Sequence, residues 1–166
     1  MKIKKKMVSM VCLAILLGGM VTVAMPDVQA SVEQTKQVDG SYLTMEESAS
    51  GSSRNEASKG EYIMVGECSI TKAGRGRIYV YAGTTARRTV NLVSTIVYVD
   101  QYNEKDDAWD QIDAWSEDAY NDYYVSTSKY IKVDAGYFYR VRADHFAGMQ
   151  YPYEETYSFT DGIKID

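Results

Sequence analysis

Between Tyr62 and Ile165 the sequence alternates short stretches rich in Tyr, Val, Ile and Thr with Gly, Asp and Asn, about every ten residues. A chain punctuated this way has strands to pack and no long amphipathic helix to pack them against. The stretches run from Tyr62 to Thr71, Arg77 to Ala82, Val90 to Tyr102, Trp109 to Trp115, Tyr123 to Val133, Tyr137 to Phe146 and Thr156 to Ile165. Seven such strands in about a hundred residues predict an all-β domain, a two-sheet sandwich of the immunoglobulin or fibronectin type III kind. Alternation is cleanest where Tyr137, Tyr139, Val141 and Ala143 interleave with Phe138, Arg140, Arg142 and Asp144. The first set is expected to face the core and the charged set the solvent. Val90 to Val99 is apolar on both faces, which predicts a central strand or a bulge. Trp109 to Asn121 also carries Trp109, Ile112 and Trp115 at a spacing that a short helix would use.

The N-terminus has a different character. Lys2, Lys4, Lys5 and Lys6 precede an apolar run from Met7 to Met25, and no acid occurs before Asp27. With Pro26 ending the run and Val28-Gln29-Ala30 offering a cleavage box, residues 1–30 are expected to be a signal peptide cut after Ala30. An uncleaved anchor would need about 20 apolar residues, and Gly18, Gly19 and Thr22 dilute this run. Cys12 lacks a lipobox before it and leaves with the peptide. Residues 31–59, rich in Ser, Gly and Glu, are expected to form a disordered leader, because they hold too few apolar side chains to offset the entropy of ordering. The folded domain is then expected over 60–166. The chain lacks a wall-sorting motif before its end at Asp166, so release into the medium is the expected fate.

Charge and cysteine usage narrow the partners. Cleavage lowers Lys plus Arg from 18 to 14 and Asp plus Glu from 23 to 22, for a net charge of −8. That charge repels phosphate backbones and anionic membranes, so no nucleic acid and no membrane partner is expected once the signal is gone. Cys68 is then the only cysteine, which excludes an internal disulfide and a thiolate metal site. A monomer is expected.

Two resemblances follow from particular residues. The stretch Val133-Asp134-Ala135-Gly136-Tyr137-Phe138-Tyr139-Arg140-Val141-Arg142-Ala143 resembles the corner and following strand of fibronectin type III and immunoglobulin-like sandwiches. That likeness implies a tyrosine hydroxyl bonded back to the backbone, from Tyr137 or Tyr139. Gly66-Glu67-Cys68-Ser69-Ile70, Gly83 to Val90, Trp109 through Ser116, Gly136 to Ala143 with His145, and Ser158 to Ile163 resemble a family of small secreted proteins of clostridia and related Gram-positive bacteria. The family is a domain of unknown function. It implies a secreted single-domain protein and supplies no site residues.

Catalysis has little to work with. After cleavage Cys68 and His145 are the only Cys and the only His, so a nucleophile and base would have to be these two. Cys68 has no neighbouring cation to lower its pKa, and His145 falls on the inward set; a core thiol and a core histidine are expected, and no catalytic residue is assigned. Asp100, Glu104, Asp106, Asp107, Asp110, Asp113, Glu117, Asp118 and Asp122 form the densest acidic segment. Their order matches no calcium loop, so a solvated face is expected, with neither a metal nor a cofactor assigned.

Aromatics are the unusual feature, with 15 Tyr and 2 Trp. If Ile78, Val80 and Ala82 point inward, Tyr79 and Tyr81 point outward side by side, and Trp109 and Trp115 are expected to flank them. Such rings stack on sugars or peptides while their hydroxyls hydrogen-bond. The residues therefore favour a secreted, non-catalytic binding module for a glycan, peptide or wall polymer, with Tyr79, Tyr81, Trp109 and Trp115 as binding residues. An antimicrobial or inhibitor-like effector and an extracellular hydrolase are the alternatives.

Overall fold

Period-two alternation is carried into structure almost throughout. The computed structural model describes residues 36–53 and 60–166, and all nine regular elements among them are strands. The expected signal peptide lies outside the described residues. A short hairpin comes first, β1 (Gln37–Val38) and β2 (Ser41–Thr44), followed by β3 (Ser48–Ser52) and β4 (Ile63–Lys72). Two long strands follow, β5 (Arg77–Asn103) and β6 (Ala108–Lys132), and then β7 (Phe138–Gly148), β8 (Glu154–Phe159) and β9 (Gly162–Lys164). They make one mixed sheet in the order β1-β2-β9-β7-β5-β4-β3, with β6 also on β5 and β8 on β7; the β2/β9 pair is parallel.

Nine strands in one curled sheet, a half-barrel, stand where seven short strands were expected. The difference lies in β5 and β6. The stretches from Arg77 and from Val90 are one strand of 27 residues, with an irregular ladder between Thr85 and Val90 where it bends. Before the bend β5 pairs with β4, and after it with β7, while β6 follows along its other edge throughout. Curling brings the inner faces together around a main core, with a second, smaller cluster of Ile63, Ala86, Val90, Val93, Val125 and Ala147. In the main core Cys68, Ile70, Ile78, Val80 and Ala82 come from one half, and Val97, Val99, Tyr139, Val141, Ala143, Ile163 and Ile165 from the other. Each fully buried Val or Ile contributes roughly 1.5–3 kcal/mol of transfer free energy. Trp109 to Asn121 is strand rather than helix, since Trp115 pairs with Val97 inside the β5/β6 ladder.

The expected leader over 31–59 is corrected wherever the structure describes it: three strands lie within residues 37–52. Composition argued for disorder, but backbone pairing supplies what the side chains lack. Leu43 and Thr44 align with Gly162 and Ile163, and Ser48 through Ser52 pair with Thr71 through Glu67. The β1–β2 turn is Asp39-Gly40, with φ of 47° and 82°. Positive φ at both central residues is what a two-residue hairpin with matched twist requires, and Asp-Gly supplies it at low cost.

On β7 the inward set is Tyr139, Val141, Ala143, His145 and Ala147, all buried. Tyr137, also expected to face inward, is 47% exposed because it sits in the turn before the strand. Tyr139 is therefore the corner tyrosine: its hydroxyl donates to the Asp134 carbonyl at 2.9 Å. Tyr139→Phe should cost about 1–3 kcal/mol in urea unfolding, because that carbonyl loses its donor. Tyr137→Phe should stay within about 0.5 kcal/mol. A second correction concerns Arg140 and Asp100, expected on solvated faces. Arg140 is 3% exposed and Asp100 1%, because the β1–β2 hairpin lies over them.

Candidate functional site

Strand parity builds a polar, aromatic face on the outside of β3, β4 and the first half of β5 with its β6 partner. Ile70, Cys68, Val80 and Ala82 point into the core, so Ser69, Glu67, Tyr79 and Tyr81 point away from it. The register then forms rows across the sheet. Ser50, Ser69, Tyr81 and Ser128 align in one, and Thr71, Tyr79 and Tyr130 in another.

Within this face the Tyr81 hydroxyl donates to Glu67 Oε1 at 3.1 Å and meets the Tyr124 hydroxyl at 3.0 Å. Partial burial, and then the bonds to Tyr124 and Glu67, hold the Tyr81 hydroxyl well above the usual phenol range, so it stays a neutral donor. Its oxygen leans over Gly83, where a Cβ would crowd it. Next to it lies a hollow of about 470 Å³ lined by Ser50, Gly51, Ser52, Glu67, Cys68, Ser69 and Tyr81. Further along the face, Tyr79 and Tyr130 have ring centroids 4.9 Å apart at a tilt of 51°, and the Arg77 guanidinium stands 5.2 Å from the Tyr130 centroid. Tyr124 and Tyr130 are exposed. Hydroxyls, ring faces and one carboxylate around a shallow hollow can hold a polyhydroxylated ligand.

Of the four expected binding residues, the structure brings only Tyr79 and Tyr81 together. Trp109 is a post under the N-terminal hairpin: its indole N–H donates to the Val38 carbonyl at 3.0 Å, and the Arg140 guanidinium lies 4.6 Å from its ring centroid. Trp115 closes the seam between the two halves of β6. It packs against the core, donates to Thr127 Oγ1 at 3.1 Å and carries Lys129 Nζ 4.8 Å from its ring centroid. Neither flanks the tyrosine pair, and the expectation for both is corrected. Tyr124 and Tyr130 stand in their place. The period-two set Tyr124, Ser126, Ser128, Tyr130 was the signal for them.

The only described Cys and His do meet, through a serine. His145 Nδ1 lies 2.8 Å from Thr84 Oγ1, whose own hydroxyl donates to the Ser94 carbonyl. Nδ1 therefore carries the proton, and Nε2 accepts from Ser158 Oγ at 2.8 Å. Ser158 also neighbours the Cys68 thiol, which burial pushes up to about 11. A serine donating to a histidine is a hydrolase-like pair, yet His145, Ser158 and Cys68 are all buried. Gly66 presses on the imidazole so closely that a Cβ there would overlap it. The cluster ties β4, β5, β7 and β8 together as part of the core.

Burial pushes the His145 pKa down to about 4 from 6.5. The folded state thus binds fewer protons than the unfolded chain between these values. His145 contributes full stability above about pH 6.5, and loses roughly 3 kcal/mol of it as the pH falls to about 4. Urea unfolding at about pH 7 and about pH 4.5 should show this slope, and His145→Gln should flatten it relative to the parent.

No protein-family model, no curated protein and no solved structure matches this chain.

Proposed function

We propose that the chain is an exported, non-catalytic module that binds a glycan or cell-wall polysaccharide on the face of Tyr79, Tyr81, Tyr124 and Tyr130. The observation that carries this reading is the Glu67–Tyr81–Tyr124 hydrogen-bonded row beside a hollow of about 470 Å³ lined by serines. Sugars present apolar C–H faces and many hydroxyls. Exposed phenol rings with ordered hydroxyl partners complement both at little entropic cost, since each ring has few rotatable bonds. Export is supported by the basic, apolar and small-residue order of residues 1–30. An immunoglobulin-like sandwich is supported by the shared core of the two sheet halves and by the Tyr139 corner.

Electrophoresis of the folded protein through gels containing soluble polysaccharides tests the reading. At least one polysaccharide should retard the parent. Tyr81→Ala and Tyr124→Ala should weaken that retardation about tenfold or more, as removal of a central aromatic contact does, with unfolding nearly unchanged. Retardation untouched by both substitutions, or absent with every polysaccharide, would overturn it.

A further inference from the structure

Glu67 is the one charged residue lining the hollow; its companions are Ser50, Gly51, Ser52, Cys68, Ser69 and Tyr81. Several exposed carboxylates elsewhere on the surface are met by cations, among them Glu47 by Lys72, Glu61 by Arg88 and Asp107 by Lys36. Among the described residues no Lys or Arg forms an ion pair with Glu67, whose bond is the one from the Tyr81 hydroxyl to Oε1. A carboxylate accepts about four hydrogen bonds, so most of its capacity is left for a ligand. Tyr81 stands beside it with Tyr124 bonded to its hydroxyl. The negative faces of such rings attract cations as the carboxylate does. A uronic or otherwise anionic sugar would meet like charge here, and a neutral sugar would gain only hydroxyl hydrogen bonds to the carboxylate, with no charge to pair.

Resting on the glycan-binding reading above, we infer that the hollow selects an amino sugar whose amine is free and protonated, with Glu67 as its counter-ion. The ammonium donates to the Glu67 carboxylate next to the Tyr81 ring, while Ser50, Ser69 and Ser128, in the same row across the sheet, hydrogen-bond the sugar hydroxyls. Acetylation of the amine removes both the charge and two of its donors, so the hollow tells de-acetylated from acetylated polymer. A lysine side chain would offer the same ammonium, but it would leave the serine hydroxyls of the hollow without ligand partners.

The probes are a glucosamine hexamer, its fully N-acetylated counterpart and hexalysine, each titrated calorimetrically into the folded chain below the amine pKa. The glucosamine hexamer should bind about tenfold or more tightly than either of the others, as a charge-assisted bond to an otherwise open carboxylate allows. Glu67→Gln keeps an acceptor for Tyr81 on an exposed position. It should bring the glucosamine hexamer down to the affinity of the acetylated one, both measured on the same variant. Equal binding of the two hexamers by the parent, a preference that survives Glu67→Gln, or hexalysine binding as tightly as the glucosamine hexamer would each overturn the inference while leaving the glycan reading standing. If neither sugar hexamer bound, and no polysaccharide retarded the protein, both readings would fall together.

Discussion

Asp100→Ala should lower the unfolding free energy by about 3–5 kcal/mol, the usual cost of stripping one partner from a buried ion pair. The carboxylate lies in the second half of β5, where Asp100 Oδ2 accepts from Arg140 Nε at 3.0 Å and Arg142 Nε at 2.7 Å, and Oδ1 accepts from Arg142 Nη2 at 3.2 Å. Arg140 also donates three of its other N–H groups, to the Asp39 carbonyl at 3.0 Å, Ser41 Oγ at 3.1 Å and Asp39 Oδ2 at 2.8 Å. Without Asp100 this guanidinium keeps only Asp39 as counter-charge, and that side chain is 77% exposed and largely screened. Arg140→Ala should cost a similar amount, with Arg142, 38% exposed, as a partial substitute partner for Asp100. Urea unfolding at neutral pH measures both. Changes within about 0.5 kcal/mol, normal for solvated residues, would show that the hairpin does not cover the pair.

Deleting residues 31–53 should be more damaging still, removing the cooperative transition or lowering stability by more than about 5 kcal/mol, the lower end of what a domain has in total. The deletion takes away β1, β2 and β3. It leaves the edges of β9 and β4 unpaired, opens the Arg140–Asp100 pair to a half-formed surface, and strips the Val38 carbonyl from Trp109. Ser53, which exchanges hydrogen bonds with the backbone of Gly66 beside the His145 ring, goes as well. A disordered leader would give the opposite outcome, a change under about 1 kcal/mol. Near-ultraviolet circular dichroism during thermal unfolding separates the two, because Trp109 and the buried Tyr102 and Tyr139 report on packing at this end.

The β character was legible because a period of two depends only on neighbouring residues, and β7 keeps it from Tyr139 to Ala147. What lay beyond reach depended on distant chain segments. β5 was divided in two because Arg87 and Arg88 interrupt its apolar pattern; the strand passes through them exposed at a bend, and its two halves find different partners. β3 is a Ser and Gly edge strand that contributes backbone pairing with little apolar area, so composition hides it. The β1–β2 hairpin did leave a local mark, Asp39-Gly40 between Val38 and Ser41, which outweighs the polar composition around it. Tyr79 and Tyr81 were legible by parity alone. Trp109 and Trp115 were not, since one is covered by the hairpin and the other by the returning half of β6, and neither cover is local in sequence.

If the chain binds glycans as proposed, the outer face of β3, β4, β5 and β6 holds the ligand. Titration of the protein carrying ¹³C-labelled tyrosine rings with the glucosamine hexamer, followed by NMR, tests this. Ring signals of Tyr79, Tyr81, Tyr124 and Tyr130 should shift together, while Tyr157 on β8 and the indole N–H signals of Trp109 and Trp115 stay in place. Shifts confined to Tyr157 or the two indoles, with the four tyrosines unmoved, would contradict it.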